Sequence, residues 1–347
     1  MMQEGFYKKL RVNRITEKVK GFKVFSFEEG HQIKYKAGQY LTFVRKVNDE
    51  EIRRSYSITS SPGLNEPLSV GIKRIANGLF SRYFIDHIQP GDEVILTGAG
   101  GFFVLPDNIN AYRQVFFFAA GSGITPVFSL IKTALHFHSH LHLILVYSNS
   151  SADKTIFLNE LMELSKQFRH RFRIEFLFSD TLELSRARLY SDLLIKLVKD
   201  YTTCSPDKVL FYICGPEAYM RMCTYVLQQE GYEAGQIRRE NFLVRPKLIK
   251  ALPPDKATRE VKIILGGEKI SVRVEYPNTI LRSAKMQGIS LPYSCEVGSC
   301  GNCAAKCIKG KIWHSYNEVL TEEELQTGLV LTCVAHPVGN DVEISFE

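Results

Sequence analysis

Four cysteines carry the first chemical signal. Cys295, Cys300 and Cys303 fall in the stretch SCEVGSCGNC, spaced C-x4-C-x2-C, and Cys333 follows after 29 intervening residues. Four thiolates can hold Zn2+ or an iron–sulfur cluster. Zinc sites usually present two separated C-x2–4-C knuckles, whereas here three ligands crowd one loop and the fourth stands alone. That arrangement is the plant-type [2Fe–2S] spacing. Such a cluster is anionic, so backbone N–H groups must turn toward its sulfides, and Gly298 and Gly301 permit the wrapping. The small neighbours Ser294, Ser299 and Asn302 are expected to leave the cluster near solvent. Zinc, or unliganded thiols, remain the alternatives on spacing alone. Cys307 lies outside the pattern and reads as structural.

Three other stretches have chemistry in them. In RRSYSITS, Arg54 and Tyr56 alternate along one strand and project on the same face. A fixed bidentate cation suits a pyrophosphate, and a planar ring suits stacking on an isoalloxazine. Alone, R-x-Y-S more readily fits an edge-strand arginine beside a core tyrosine. FFFAAGSGITPVFSLI places Gly121-x-Gly123-x-x-Pro126 between an apolar run and a helix-like stretch. The strict dinucleotide fingerprint is absent, since this variant ends in proline, yet Pro126 suits a first helical turn. YICGPEAYM puts Cys214-Gly215-Pro216 at the end of a buried strand, where doubly wound sheets bind ligands. A buried cysteine before a turn gives the same pattern, and no histidine is positioned by sequence to make Cys214 a nucleophile.

In their order along the chain, with KAGQYLTF, VGIKR, NGLFSRYF and PGDEVILTGAGGFF, these stretches resemble the ferredoxin–NADP⁺ reductase superfamily over roughly residues 1–243. PYSCEVGSCGNCAAKCIKGKI and LTCVAHPVGNDVEISFE resemble a plant-type ferredoxin domain of β-grasp fold over 259–347. The resemblance implies that Arg54 binds the FAD pyrophosphate, Tyr56 packs on the flavin and Ser57 hydrogen-bonds near its N5. Backbone groups of Val70, Ile72 and Lys73 would pass the flavin and ribityl chain. Gly78 and Ser81 would open a helix whose N-terminus holds phosphates. Thr125 would face the flavin, with Gly121, Gly123 and Pro126 receiving the nicotinamide dinucleotide. Cys214, Gly215 and Pro216 would lie beside the carbon that gives up hydride. In RRENFL, Glu240 and Phe242 match a Glu-x-aromatic ending whose ring covers the flavin. The usual ring is tyrosine, so Phe242 departs from the pattern, and the chain continues past it. For the dinucleotide, Ser148, Ser150, Ser151 and Lys154 follow the second strand, and Arg186 and Arg188 the next. No acid is adjacent to repel a 2′-phosphate, which favours NADPH over NADH.

Elements able to position these residues are legible. At 347 residues the chain implies two or three domains. Alternating strands at 22–28, 38–47, 53–60, 68–74 and 91–98, with a helix near 78–88, predict an antiparallel FAD-binding β-barrel over 1–107. Apolar runs at 114–120, 141–148, 172–179 and 208–215 alternate with helices at 126–138, 155–169, 190–200 and 216–231. That pattern predicts an α/β doubly wound parallel sheet, the NAD(P)-binding unit, over 108–244. A proline-containing linker at 245–258 reads as locally extended. The remainder, 259–347, predicts two early strands, a short helix near 279–287, the cysteine loop and a closing strand: a small α+β ferredoxin module.

Net charge is +7, yet 259–347 carries 9 basic against 11 acidic residues, leaving 35 against 26 in 1–258. A basic body on an acidic tail would suit docking between them or with a partner; a solvated surface is the plainer account. Scattered basic residues without interleaved aromatics argue against nucleic acid. The most apolar run, at 115–131, is broken by glycines and Pro126 and is too short to insert in a membrane. No signal segment opens the chain, so a cytoplasmic, reducing setting is expected. In function, the resemblance implies an oxidoreductase passing electrons from NAD(P)H through FAD to [2Fe–2S]. The order of domains is similar to the reductase components of multicomponent oxygenases, the phenylacetyl-CoA epoxidase kind among them, with the oxygenase as electron acceptor. A separate ferredoxin, a haem protein or a quinone is the alternative acceptor. A non-catalytic, nucleotide-responsive iron–sulfur or zinc regulator is the alternative of another class.

Overall fold

A computed structural model describes residues 7–47, 50–242 and 252–347. It contains three sheets. The first unit comprises β1 (Lys8–Val19), β2 (Phe22–Phe27), β3 (Tyr40–Val47), β4 (Glu50–Ser57), β5 (Ser69–Lys73), α1 (Leu79–His87) and β6 (Glu93–Gly100). Its six strands run β4-β3-β6-β1-β2-β5, antiparallel throughout. A bridge from Ile58 to Val70 closes the two edges on each other, so the predicted barrel forms. Phe25, Phe43, Val70, Ile72 and Leu96 fill it, with Phe80 and Phe84 of α1 packed into the same core. Strand β1 has no counterpart in the sequence reading. Only Leu10 and Val12 are buried along it, so its alternation is hidden among charged residues.

The second unit comprises β7 (Gln114–Ala120), α2 (Ile124–Phe137), β8 (His142–Asn149), α3 (Leu158–Gln167), β9 (Phe172–Phe178), α4 (Ser191–Tyr201), β10 (Val209–Cys214), α5 (Glu217–Gln229) and β11 (Ile237–Glu240). Its strands run β11-β10-β7-β8-β9, all parallel. The unbroken apolar runs conceal a period of two. Val115, Phe117 and Ala119 enter the core on one face and Phe116 and Phe118 the core on the other. Four strands were expected and five are present. The fifth, β11, reads IRRE, which has no apolar run to mark it.

The third unit holds β12 (Arg259–Leu265), β13 (Glu268–Val274), α6 (Ile280–Met286), β14 (Ala304–His314), α7 (Glu322–Gln326), β15 (Leu329–Leu331) and β16 (Ala335–Ser345). The sheet runs β13-β12-β16-β14-β15, mixed, with β12 and β16 parallel. This is the α+β, β-grasp arrangement expected, with β14, α7 and β15 added. Of the expected linker, 245–251 lies outside the described residues. Asp255 in its remainder accepts from Gly339 N (3.0 Å) and pairs with Arg259 (2.7 Å), which ties that segment to the third sheet. Among the described residues no helix is long and apolar enough to cross a membrane.

Candidate functional site

One cleft of about 2310 Å³ is lined by all three units. The barrel supplies Arg54, Tyr56 and Ser57 from β4, Gly71 and Lys73 from β5, and Gly78 and Ser81 at the start of α1. Val70 and Ile72 turn their side chains into the barrel core and lie outside the lining, which takes Gly71 and Lys73 from the same strand. The Arg54 guanidinium donates to the Arg53 carbonyl (2.7 Å) and has no carboxylate partner among the described residues, so its charge is available to an anion. Gly78 caps α1 without a side-chain bond, leaving the first-turn N–H groups open. A Cβ at Gly78 would stand 2.4 Å from Ser81 Oγ, which itself accepts from Ile75 N (3.2 Å). A glycine is therefore required where the chain folds back to present that turn. An unpaired arginine, an uncapped helix start and the half-buried Tyr56 ring fit the pyrophosphate and ring of a flavin dinucleotide.

Across the cleft, β7 ends in a turn at Gly121–Gly123 that feeds α2. Gly121 sits at φ +54 with nothing within 4 Å of an added Cβ, an open cradle. Gly123 has a different cause: a Cβ there would meet the Cys214 carbonyl oxygen at 2.1 Å. Thr125 lines the cleft and donates to Ser122 O (2.9 Å), while Pro126 is buried in the first turn of α2. Ser148, Gly215 and Pro216 also line it.

Cys214 does not line the cleft. The pleat of β10 sends it, with Leu210 and Tyr212, into the core beneath α2, and burial holds its thiol well above the ordinary range, so it stays neutral. Arg186, expected within range of the dinucleotide, is paired with Glu175 (2.5 Å) and lies outside the lining. Arg188 and Lys154 do line it, but so does Asp153, contrary to the expectation that no acid is adjacent.

At the junction of the three units stand Glu240 and Phe242. Glu240 ends β11 beside Cys214; one carboxyl oxygen, Oε2, is wholly buried without a hydrogen-bond partner. Desolvation raises its pKa from 4.5 to about 8, so the carboxyl is neutral at pH 7. Phe242 keeps 46% of its surface exposed at the cleft.

The cysteine loop forms the remaining wall. Cys295 and Cys300 line the cleft, with Cys303 and Cys333 buried behind them. Cys295 lies within hydrogen-bond reach of Cys300 and Cys333, and Cys333 of Cys303. Bonds from Cys300 and Cys333 hold the Cys295 thiol far down, while the same bonds push Cys300 and Cys333 up. Among the described residues no group of His, Cys, Asp or Glu closes on a single ion. Four thiols gathered in one pocket at the plant-type spacing fit a two-iron cluster, which spreads its ligands over two metals. Gly298 and Gly301 have φ of +78 and +79, as the wrapping requires.

The loop does not face solvent in the way its small residues suggested. Ser294 Oγ is 2.8 Å from Ser55 Oγ of β4, and Asn302 abuts Gly100 of β6. The units lock together through residues whose role was not read from sequence. Tyr40 OH donates to Cys300 O (2.7 Å), and Arg53 stacks on Tyr293 (3.7 Å) while donating to its carbonyl (3.3 Å). Arg238 pairs with Glu324 (3.2 Å), and Asn241 donates to Glu318 (3.3 Å).

Comparisons with known proteins agree with this geometry. Residues 9–104 match the family described as oxidoreductase FAD-binding domain, 117–224 the oxidoreductase NAD-binding domain, and 263–338 the 2Fe-2S iron-sulfur cluster binding domain. The chain is 31% identical to one of the subunits of the 1,2-phenylacetyl-CoA epoxidase of Escherichia coli over 329 residues, 90% of this chain and 89% of that one. It belongs to the ferredoxin–NADP⁺ reductase family, in the branch with a C-terminal [2Fe–2S] domain. Among solved structures, the reductase overlays phthalate dioxygenase reductase with a TM-score of 0.61 at 21% identity, covering 99% of each chain. It also matches an intact type IV self-sufficient cytochrome P450 monooxygenase, TM-score 0.72 at 20% identity. That match covers 97% of the reductase and 41% of the longer chain. The reductase is thus an electron-transfer oxidoreductase using FAD, [2Fe–2S] and a nicotinamide nucleotide.

Proposed function

We propose that this reductase takes electrons from NADPH and delivers them singly to the oxygenase component of a multicomponent system, of the phenylacetyl-CoA epoxidase kind. The observation that carries the reading is the single cleft: the flavin-side residues Arg54, Tyr56 and Ser57, the turn at Gly121 and the thiols Cys295 and Cys300 border the same space. When bound, the nicotinamide supplies a hydride, the flavin divides the pair, and the cluster carries one electron at a time.

The chain's own residues bind and orient. Arg54 and the open start of α1 neutralise the pyrophosphate, and Tyr56 and Ser57 seat the ring system. Gly121 admits the second dinucleotide, and Glu240, kept neutral, adds no charge at the junction. Arg188 lines the cleft with no ion pair among the described residues, and a guanidinium there supports NADPH over NADH. The oxygenase assignment rests on the likeness to the epoxidase component over nine-tenths of the chain. Oxidation of the organic substrate then belongs to the partner.

Anaerobic titration with NADPH and, separately, NADH tests the donor. Bleaching of flavin absorbance by neither overturns the reading. Cys333→Ser tests the order of groups: cytochrome c reduction should vanish while ferricyanide reduction persists, and equal loss of both contradicts it. Turnover of a purified di-iron oxygenase on an aryl-acetyl thioester tests the acceptor; exclusive transfer to a haem protein or quinone refutes that part.

A further inference from the structure

The barrel and the cluster loop interlock at a seat made of glycines. Gly100 ends β6, paired with Tyr40 at the start of β3, and Gly101 follows it in the segment GAGGFF. A Cβ at Gly101 would stand 2.8 Å from the Tyr40 ring, and one at Gly100 would stand 2.8 Å from Asn302 Oδ1. From the other side, a Cβ at Gly301 would stand 2.6 Å from the Phe102 ring. Gly100 and Gly301 thus each admit a side chain of the other unit at close range, and Gly101 makes room within the barrel for Tyr40, so the two units fit at methyl-scale clearance. A casual contact between independent domains would not require it. Phe102 packs against the third unit's hydrophobic core.

Within this seat Tyr40, 4% exposed, donates its hydroxyl to the backbone carbonyl of Cys300, 2.7 Å away and 260 residues along the chain. The partner atom belongs to a cluster-ligating residue that also lines the flavin cleft.

We propose that Tyr40 is a positioning residue for electron passage: its hydroxyl fixes the Cys300 limb of the cluster loop against the flavin barrel. This rests on the electron route proposed above. The step involved moves one electron from the flavin side to the cluster side; no bond is made or broken and no proton is lost from Tyr40. Removing the hydroxyl takes that donor from the Cys300 carbonyl, which loosens the seat without touching the nicotinamide side.

The test uses the full-length chain loaded with both groups, comparing Tyr40→Phe with the parent. Hydrogen–deuterium exchange at 99–103 and 298–302 should accelerate about tenfold, the worth of one hydrogen bond, with exchange in β7 unchanged. Cytochrome c reduction should fall about three- to tenfold for the same loss, while ferricyanide reduction and the rate of flavin bleaching stay within about twofold. Gly100→Ala keeps the hydroxyl but obstructs Asn302, and must give the same two signatures. Unchanged exchange at both segments, or a cytochrome c rate within about twofold of the parent in either fully loaded variant, overturns the proposal. Failure of the parent itself to bleach would instead strike the electron route.

Discussion

Glu240 offers the most quantitative test of the junction. Its Oε2 is buried and unpartnered, and desolvation lifts the carboxyl from 4.5 to about 8. The folded chain then holds a proton that the unfolded chain has lost, so stability must fall as pH rises from about 4.5 through 8. Glu240→Gln keeps the shape and removes the titration. With those two pKa values, linkage makes the variant the more stable by about 2 kcal/mol at pH 6 and by about 4–5 kcal/mol at pH 8.5, with no titration-linked difference below pH 4. These are upper bounds, because the residue as a whole still borders the cleft and solvent can relax around an ionised carboxylate. Gln brings its own unpartnered amide, but that offset is the same at every pH. Urea unfolding of the cofactor-depleted chain at pH 5, 6, 7 and 8.5, followed by circular dichroism, gives the difference directly. A difference that does not grow with pH refutes a neutral Glu240 and the dry junction behind it.

The remaining predictions concern charge in the cleft. Arg54→Ala should weaken FAD about 10- to 100-fold, the worth of charge-assisted hydrogen bonds to a pyrophosphate, while leaving the iron and sulfide content at parental levels; flavin retention on dilution measures it, and parental retention counts against the pyrophosphate role. Arg188→Ala should lower kcat/KM for NADPH about tenfold, as one lost charge-assisted contact would, and leave NADH unchanged; an equal effect on both nucleotides removes Arg188 from 2′-phosphate recognition.

Which features could be read from the chain follows from how far apart the determining atoms lie. The thiol spacing is local in three of four ligands, so the cluster loop was legible, as were the turns at Gly121 and Gly78 that join one strand to one helix. Strand β11 was not, because IRRE is held in the sheet by its neighbour β10 rather than by its own apolar pattern. The position of Cys214 was half legible: the strand end was clear, but which face of β10 it took depends on the pleat, and that sent it to the core. Charge imbalance admitted docking of the third unit but left a solvated surface the plainer account; Arg238–Glu324 is an ion pair of the docking sign. Partly exposed pairs of this kind are worth at most about 1 kcal/mol each, too little to set a pose. What sets it is fit: the approach of Gly100 to Asn302 and of Gly301 to Phe102, decided by single methyl-sized volumes between segments some 200 residues apart. Along the sequence those same positions show only as a run of glycines before two phenylalanines. The signal was present, but its meaning lay in atoms that only the folded chain brings together.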